Sequence, residues 1–329
     1  MTPIIRVTNL RKYFRVSLRA KGLVGTVRGL FTGDYRLVRA VDGISFEVQP
    51  GELVGYLGPN GAGKSTTLKM LTGLLVPTSG ELHVNGRVPW RERKAYVAHI
   101  GAVFGNRSTL WWDLPVVDSL ELLQYIYRVP PAAFRRNLDE FRELLELDAF
   151  LDTPVRSLSL GQRMRADLCA ALLHNPDLVF LDEPTIGLDV VAKERIRQFI
   201  LHVNREHGTT VLLTTHDLSD VEKLCERVMI IDHGQLLYDG TLSGLRERFG
   251  GKRELVVDFA EDYADVSVDG VEVAGREGPR VVYRFGREDM SASQLISALS
   301  ERFRIEDLSV REPDIEDTVR RIYEERLLE

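Results

Sequence analysis

The architecture of the chain can be recognised from a glycine-rich stretch that reads Gly58-Pro59-Asn60-Gly61-Ala62-Gly63-Lys64-Ser65. It follows an apolar, strand-like run from Glu52 to Tyr56 and opens a helical pattern from Lys64 to Leu75. Glycines let the backbone wrap so tightly that amide hydrogens point at a phosphate group, and a helix N-terminus adds a favourable dipole. Strand, loop and helix in this order predict a phosphate-binding loop.

The side chains of this loop suit the phosphates of ATP and a magnesium ion. Lys64 supplies a cation that also takes part in catalysis, and the Ser65 hydroxyl can ligate Mg²⁺. The expected nucleotide contacts from this segment are Asn60, Gly61, Gly63, Lys64, Ser65 and Thr66.

Two adjacent acids end a second apolar strand, Leu178 to Leu181. Sheets of the α/β class place ligand chemistry at such strand ends. We expect Asp182 to hold Mg²⁺ through water and Glu183 to act as the general base that polarises the attacking water. An acidic pair can also be merely solvated, but the phosphate loop favours the catalytic interpretation.

A histidine follows a third apolar strand, Thr210 to Thr215. A lone histidine is more often structural. His216, however, lies one strand end away from the acids, where it can hydrogen-bond the γ-phosphate and hold the water and Glu183 in register. We therefore include it among the catalytic candidates.

The length of 329 residues predicts two domains, because domains commonly span about 100–200 residues. The pair Gly250-Gly251 marks the expected boundary between a large domain at residues 1–250 and a small accessory α+β domain at residues 251–329. Within the large domain, apolar residues at three- and four-residue steps predict a helical subdomain at about residues 106–160.

A basic segment at residues 15–37 separates two strand-like runs, Ile4 to Tyr13 and Val41 to Val48, which predict an antiparallel sheet. The segment is interpreted as an insertion with apolar residues at helix-like spacing. These residues either pack on their own domain or contact a lipid or partner surface, and the sequence leaves both open.

Composition excludes several classes of protein. A net charge of −6 argues against a general nucleic-acid binder. Cys169 and Cys225 lie in apolar helical patterns without metal-binding spacing, which predicts buried, reduced thiols. No run approaches the ~20 apolar residues of a membrane-spanning helix, and the first residues lack the apolar run of a secretory signal, so we expect the chain to stay in the cytoplasm.

Five ordered motifs resemble those of the ATP-binding cassette ATPases over roughly residues 4–240. They are the phosphate loop, the signature segment Leu158-Ser159-Leu160-Gly161-Gln162, the strand ending in Asp182-Glu183, the stretch Glu183-Pro184-Thr185-Ile186-Gly187-Leu188-Asp189, and His216. On physical grounds alone Ser159 would be an ordinary helix N-cap. The resemblance implies an α/β P-loop NTPase cassette with an antiparallel sheet, a mostly parallel core sheet and a helical subdomain, followed by the small C-terminal α+β domain.

In that family the site is shared between two subunits. The resemblance implies that Ser159, Gly161 and Gln162 of one chain contact the γ-phosphate held by the other, with Asp189 at the subunit junction. Each chain carries one phosphate loop and one signature segment, so complete sites need a second copy of the chain or a close relative. We expect ATP and Mg²⁺ as cofactors and ATP hydrolysis as the reaction.

The segments 110–115 and 158–165 resemble those of bacterial cassette ATPases that work with separate, export-type permeases. The resemblance implies an integral membrane permease as partner and a peripheral location on the cytoplasmic face of the membrane. Trp111 and Trp112 are candidates for the groove that receives the permease, with core packing as the alternative.

The signature segment has Leu160 where many relatives carry glycine, a change that keeps Ser159 and Gly161. The sequence also departs from the family at two other contacts. The usual glutamine after the strand Ile100 to Phe104 is missing, and Asn106 is the candidate for its Mg²⁺ or water contact, or Gly105 if the alignment shifts by one. Tyr13 is our choice for the aromatic that stacks on adenine, with Tyr35 as the fallback.

The rival class is a cassette ATPase that acts on nucleic acid or ribosomes. Such proteins usually carry two cassettes or a long coiled coil. Here the segment between Ser65 and Ser159 is too short and too aperiodic for a coil, so no nucleic-acid partner is expected.

Overall fold

The computed structural model describes residues 2–17, 35–105, 108–249, 252–286, 290–312 and 315–327. They belong to two compact units, Met1–Thr241 and Leu242–Glu329. The helix that follows residue 241 therefore belongs to the second unit, whereas the expected boundary placed it in the first. The Gly250-Gly251 pair lies outside the described residues.

An antiparallel sheet of three strands begins the first unit. Strand β1 (Ile5–Ser17) lies between β2 (Tyr35–Val48) and β4 (Ser79–Val84). The hydrophobic pattern predicted β1 and β2 but not β4, which is half exposed. Arg15 pairs with Leu37 and Ser17 with Tyr35, so both ends of the expected insertion continue the β1–β2 hairpin, and residues 18–34 lie outside the described residues.

A mostly parallel sheet of six strands forms the centre of this unit. Its order is β5-β6-β7-β3-β8-β9, and only the β8–β9 pair among these strands is antiparallel. The strands are β3 (Leu53–Leu57), β5 (Ile100–Phe104), β6 (Leu178–Asp182), β7 (Thr210–Thr215), β8 (Arg227–Asp232) and β9 (Gln235–Thr241). Every residue of β3 and β7 is buried, as their apolar runs predict. The carboxyl ends of β6, β7 and β3 lie side by side.

Helices surround this sheet, and two of them, α3 and α4, form a helical region between β5 and β6. The helices are α1 (Lys64–Leu71), α2 (Arg93–Val97), α3 (Val116–Tyr127), α4 (Pro131–Leu145), α5 (Leu160–Leu172), α6 (Val190–His207) and α7 (Leu218–Leu224), with a 3₁₀ turn at Val155–Ser157. The two sheets enclose one hydrophobic core, in which the Phe46 and Tyr56 rings lie 6.1 Å apart.

The second unit is a small α+β domain with its own core. It contains helix α8 (Leu242–Phe249), strands β10 (Arg253–Phe259), β11 (Glu272–Glu277) and β12 (Arg280–Phe285), helix α9 (Ala292–Arg302), strand β13 (Ile305–Arg311) and helix α10 (Ile315–Leu327). The antiparallel order is β11-β12-β10-β13. Strand β11 was not predicted, because most of its residues are exposed and lack an apolar run.

Both cysteines are buried free thiols, as predicted. Burial raises the pKa of Cys169 to about 12, which keeps this thiol protonated. Within the described ranges, no helix has both the length and the hydropathy needed to cross a membrane.

A buried ion pair connects α6 to α7. The Arg197 Nε donates to Asp220 Oδ1 over 2.6 Å, and both side chains are almost completely buried. The second Asp220 oxygen accepts a hydrogen bond from the Thr185 hydroxyl, and Ser219 Oγ accepts from Arg197 Nη2 over 2.9 Å. This network fixes the chain segments that follow β6 and β7.

We expect Arg197→Met to lower the free energy of unfolding by about 3–5 kcal/mol, because it leaves the Asp220 carboxylate buried without its cation. Urea denaturation followed by circular dichroism measures this change. The matched control is Glu194→Gln, which removes a solvent-exposed partner of the same arginine and should leave the midpoint near that of the wild type. Equal midpoints for both variants would contradict the structural role of the buried pair.

Candidate functional site

The loop at residues 58–65 connects β3 to α1, and two close backbone approaches determine its shape. A Cβ atom on Gly58 would lie 2.3 Å from the carbonyl oxygen of Ile231. A Cβ atom on Gly63 would lie 2.3 Å from that of Ala40, and Gly63 also has a φ of +109°. Only glycine fits these two positions.

The Lys64 side chain lies against the loop it follows. It is 6% exposed, and its ammonium donates to the carbonyl oxygens of Gly58 over 2.5 Å and Pro59 over 3.2 Å. Burial lowers the pKa of Lys64, and the nearby charges of Glu183 and Asp182 oppose that shift. A cation in this partly desolvated place attracts an anion more strongly than an exposed lysine does.

The other predicted contacts, Asn60, Gly61 and Thr66, lie close to Lys64 in the sequence. Asn60 and Gly61 are exposed, and Thr66 is half-buried in the first turn of α1. These positions leave the outer side of the loop open to a ligand.

The strand end and the loop meet at Asp182. Its Oδ1 accepts hydrogen bonds from Ser65 Oγ over 3.3 Å and from Thr214 Oγ1 over 2.6 Å. A hydroxyl and a carboxylate oxygen this close provide the hard oxygen donors that Mg²⁺ takes from proteins, with phosphate and water completing its shell. The predicted pair Ser65 and Asp182 therefore fits a magnesium ion.

Glu183 and His216 are also brought together. His216 Nδ1 lies 3.2 Å from Glu183 Oε1, although the two residues follow different strands. Glu183 has a left-handed φ of +53°, and its backbone amide donates to Thr214 over 2.9 Å. A non-glycine residue held in this conformation is often found at functional sites. The arrangement can place a carboxylate base and an imidazole on one water molecule.

The signature segment begins α5. Ser159 is the N-cap, and its Oγ accepts from the Gln162 amide over 3.2 Å, while Gln162 Oε1 accepts from the Ser159 amide over 2.9 Å. This is the helix cap expected on physical grounds. Gly161 is the second residue of this helix, and a Cβ atom added to it would meet only ordinary contacts, the nearest 3.7 Å away.

Tyr13 lies in β1 with its hydroxyl fixed. The hydroxyl donates to Asp42 Oδ1 over 2.5 Å, and the Arg39 guanidinium lies 5.8 Å from the ring centroid. The hydrogen bond to Asp42 raises the pKa of Tyr13. Tyr35, the fallback, is 53% exposed and lies beneath Arg15.

The structure does not show which residue takes the place of the missing glutamine. Asn106 lies outside the described residues. Gly105 donates its amide to the Asp182 carbonyl over 3.0 Å, and it has no side chain to offer an ion.

Sequence reasoning missed two groups that order the site. Thr214 holds Asp182, and its only sequence signal is its place at the end of an apolar strand. Asp220 binds Thr185 and Arg197 from a helix that begins after His216, which no local pattern reveals.

Three features meet at the carboxyl edge of the parallel sheet: a phosphate loop, an acidic strand end and a histidine. This combination defines a P-loop nucleotide hydrolase.

Comparisons with known proteins identify the family within this class. The sequence profile described as "ABC transporter" matches residues 41–186. The chain is 31% identical over 217 residues to the ABC transporter ATP-binding protein NatA of Bacillus subtilis, a match that covers 66% of this chain and 88% of NatA. It is 34% identical over 272 residues to the Nod factor export ATP-binding protein I of Cupriavidus metallidurans, covering 80% of this chain and 78% of the relative.

The fold has a matching solved structure. The ATP-binding cassette MJ0796, a dimer in a post-hydrolysis state bound to ADP and Pi, superposes with a TM-score of 0.59 at 27% identity over 72% of this chain and 98% of that chain. The protein belongs to the ABC transporter family and is an ATP-binding subunit with the ATPase cassette of that family.

The Glu183–His216 geometry leads to a direct test. We expect Glu183→Gln to bind ATP as the wild type does but to hydrolyse it about 10²–10⁴-fold more slowly, because the amide cannot accept the proton of the attacking water. Phosphate release measures the rate of hydrolysis, and binding of a fluorescent nucleotide measures the affinity for ATP. Glu143→Gln, an exposed change of the same kind on α4, is the control. Near wild-type turnover in Glu183→Gln would exclude Glu183 as the base.

Proposed function

We propose that this chain is the ATP-hydrolysing subunit of an exporter, in which two cassettes close on ATP and drive a separate membrane permease. The observation that carries the proposal is the contact of His216 with Glu183 beside the Asp182–Ser65 pair. This contact supports our proposal of a base, a magnesium site and a phosphate loop at one sheet edge.

Each residue has a role in this proposal. Lys64 binds the β- and γ-phosphates together with the loop amides, and Ser65 and Asp182 hold Mg²⁺. Glu183 takes the proton of the attacking water, while His216 contacts the γ-phosphate. Tyr13 stacks on adenine. Asn106 is our candidate for the contact that glutamine makes in relatives.

The signature residues Ser159, Gly161 and Gln162 complete the site of a second chain. An exposed apolar surface near them supports this pairing: Leu160, Ile186, Val190 and Val191 are all exposed, Val190 to 80%. The segments that carry these residues touch, since a Cβ on Gly187 would lie 3.1 Å from Leu160 Cδ2. Contiguous apolar residues on a surface mark interaction sites. The dimeric form of the similar cassette MJ0796 agrees with this role.

Mixing two defective variants tests the shared site. Lys64→Ala disrupts the phosphate loop and Ser159→Arg disrupts the signature segment, so each variant alone should be nearly inactive. A mixed dimer contains one complete site, built from the intact loop of one chain and the intact signature of the other. We expect phosphate release to recover on mixing and to be greatest near equal amounts.

The control for this experiment mixes Lys64→Ala with a chain that carries both substitutions. No complete site can form there, and the mixture should stay inactive. If mixing the two single variants restored nothing, while circular dichroism showed both to be folded, the proposed dimer would be wrong.

A second exposed apolar surface supports a membrane partner. It lies at the start of the helical region and along α3, where Tyr125 is 76% exposed, and its members are Trp111, Trp112, Leu122, Tyr125 and Ile126. Large aromatic side chains exposed together are typical of binding hot spots. We assign this surface to the permease, which places the chain on the cytoplasmic face of the membrane. Export as the direction rests on relatives such as the Nod factor export protein.

Replacing Trp112 and Tyr125 by serine should separate docking from catalysis. We expect the ATPase activity of the isolated chain to be unchanged and its affinity for the permease to fall about tenfold or more. Co-purification of the tagged chain with membrane proteins after mild detergent extraction, followed by titration of the recovered permease, measures this effect.

Val310→Ser, which removes an exposed apolar side chain in the second unit, is the control for docking. Unchanged permease affinity in the Trp112/Tyr125 double variant would remove this surface from the interface. Stimulation of the ATPase by DNA or ribosomes, with no membrane protein recovered, would instead support the rival class.

A further inference from the structure

Three potential metal ligands meet on two helices away from the nucleotide site. Glu140 lies on α4, and His202 and His207 lie on the last turns of α6. Glu140 Oε1 is 2.7 Å from His202 Nε2 and 2.8 Å from His207 Nε2. The ligand atoms of all three residues lie within 4.8 Å of one another.

The cluster is at the opposite edge of the parallel sheet from the phosphate loop. His207 precedes the amino end of β7, whereas Asp182, Glu183 and His216 follow the carboxyl ends of β6 and β7. The proposed hydrolysis of ATP therefore does not use these three side chains.

The surroundings hold the cluster in place and leave it accessible. Phe141, next to Glu140, packs edge-on against Phe199 of α6 with ring centroids 5.2 Å apart, and both rings are buried. The three ligand side chains are only partly buried. His207 also lines a cavity of about 570 Å³ at this edge of the sheet. The partial exposure of all three side chains leaves the cluster accessible from solvent.

The donor atoms of the cluster already converge. The Nε2 atoms of His202 and His207 both face the Oε1 atom of Glu140.

We propose that Glu140, His202 and His207 form a binding site for a divalent transition-metal ion of the zinc class. Two imidazoles and one carboxylate are a known donor set for Zn²⁺, which leaves at least one position to water. Imidazole nitrogen favours such ions over Mg²⁺ and Ca²⁺, which take oxygen ligands.

Binding requires a small local rearrangement. Tetrahedral bonds of about 2.0–2.2 Å to each ligand atom hold neighbouring ligand atoms further apart than the present hydrogen-bond distances, so the side chains must separate by roughly 0.5–0.8 Å. Each neutral imidazole moves its proton from Nε2 to Nδ1, which frees the Nε2 lone pair and releases no net proton. An ion held in this way ties α4 to α6.

Zinc titration of the tag-free full-length chain, without nucleotide and with excess Mg²⁺, tests the proposal. We expect one Zn²⁺ per chain by isothermal titration calorimetry, together with a rise in the unfolding temperature. Co²⁺ in place of Zn²⁺ should give visible absorption bands of a nitrogen- and oxygen-ligated ion. His202→Gln and His207→Gln should each weaken binding by at least about tenfold and remove these bands.

The matched control is His99→Gln, which changes a half-exposed histidine paired with Asp177 outside the cluster and should leave zinc binding intact. Circular dichroism establishes that each variant is folded. The proposal is overturned if the wild type binds no Zn²⁺ in the micromolar range, or if the His202/His207 double variant binds it as tightly as the wild type. ATPase activity enters none of these measurements, so their outcome is independent of the proposed transport function.

Discussion

The close backbone packing of the phosphate loop is the constraint on which the rest of the site depends. Gly58 lies against Ile231 at the end of β8, and Gly63 lies against Ala40 in β2, so the antiparallel sheet and the core sheet both touch the loop. The turn after β8 adds a further restraint, since the Gly234 amide donates to Ala62 over 2.9 Å and its carbonyl accepts from Asp42 over 2.8 Å. The loop therefore keeps its shape only when both sheets are in place.

The fold could be predicted where burial leaves a strong pattern. Strands β3, β6 and β7 are buried along their whole length or nearly so, and their apolar residues reveal them in the sequence. Strands β4, β9 and β11 were not predicted because each is substantially exposed, and exposed strands carry polar residues and glycine that are also typical of loops. These segments form strands because they pair with strands that are distant in the sequence.

The site shows the same division between local and long-range information. Lys64, Ser65, Asp182, Glu183 and His216 could be predicted because each occupies a fixed place after a strand, and parallel strands bring their carboxyl ends to one edge. The hydrogen bond from Thr214 to Asp182 and the carboxylate shared by His202 and His207 join residues far apart in sequence. No spacing rule within one helix or strand contains such contacts, so they emerge only from tertiary structure.

The buried Asp220 connects the candidate catalytic residues to helix α6. Its two oxygens bind Arg197 of α6 and Thr185, which lies two positions after Glu183. Asp217, directly after His216, is joined to Lys193 of α6 over 2.6 Å. The start of α6 also carries Val190 and Val191, two of the exposed apolar residues that we propose contact the second chain. Because packed interiors transmit strain, a displacement of Glu183 or His216 would be passed to this surface through α6. The proposed base and the proposed dimer contact are thus connected by one continuous set of hydrogen bonds and ion pairs.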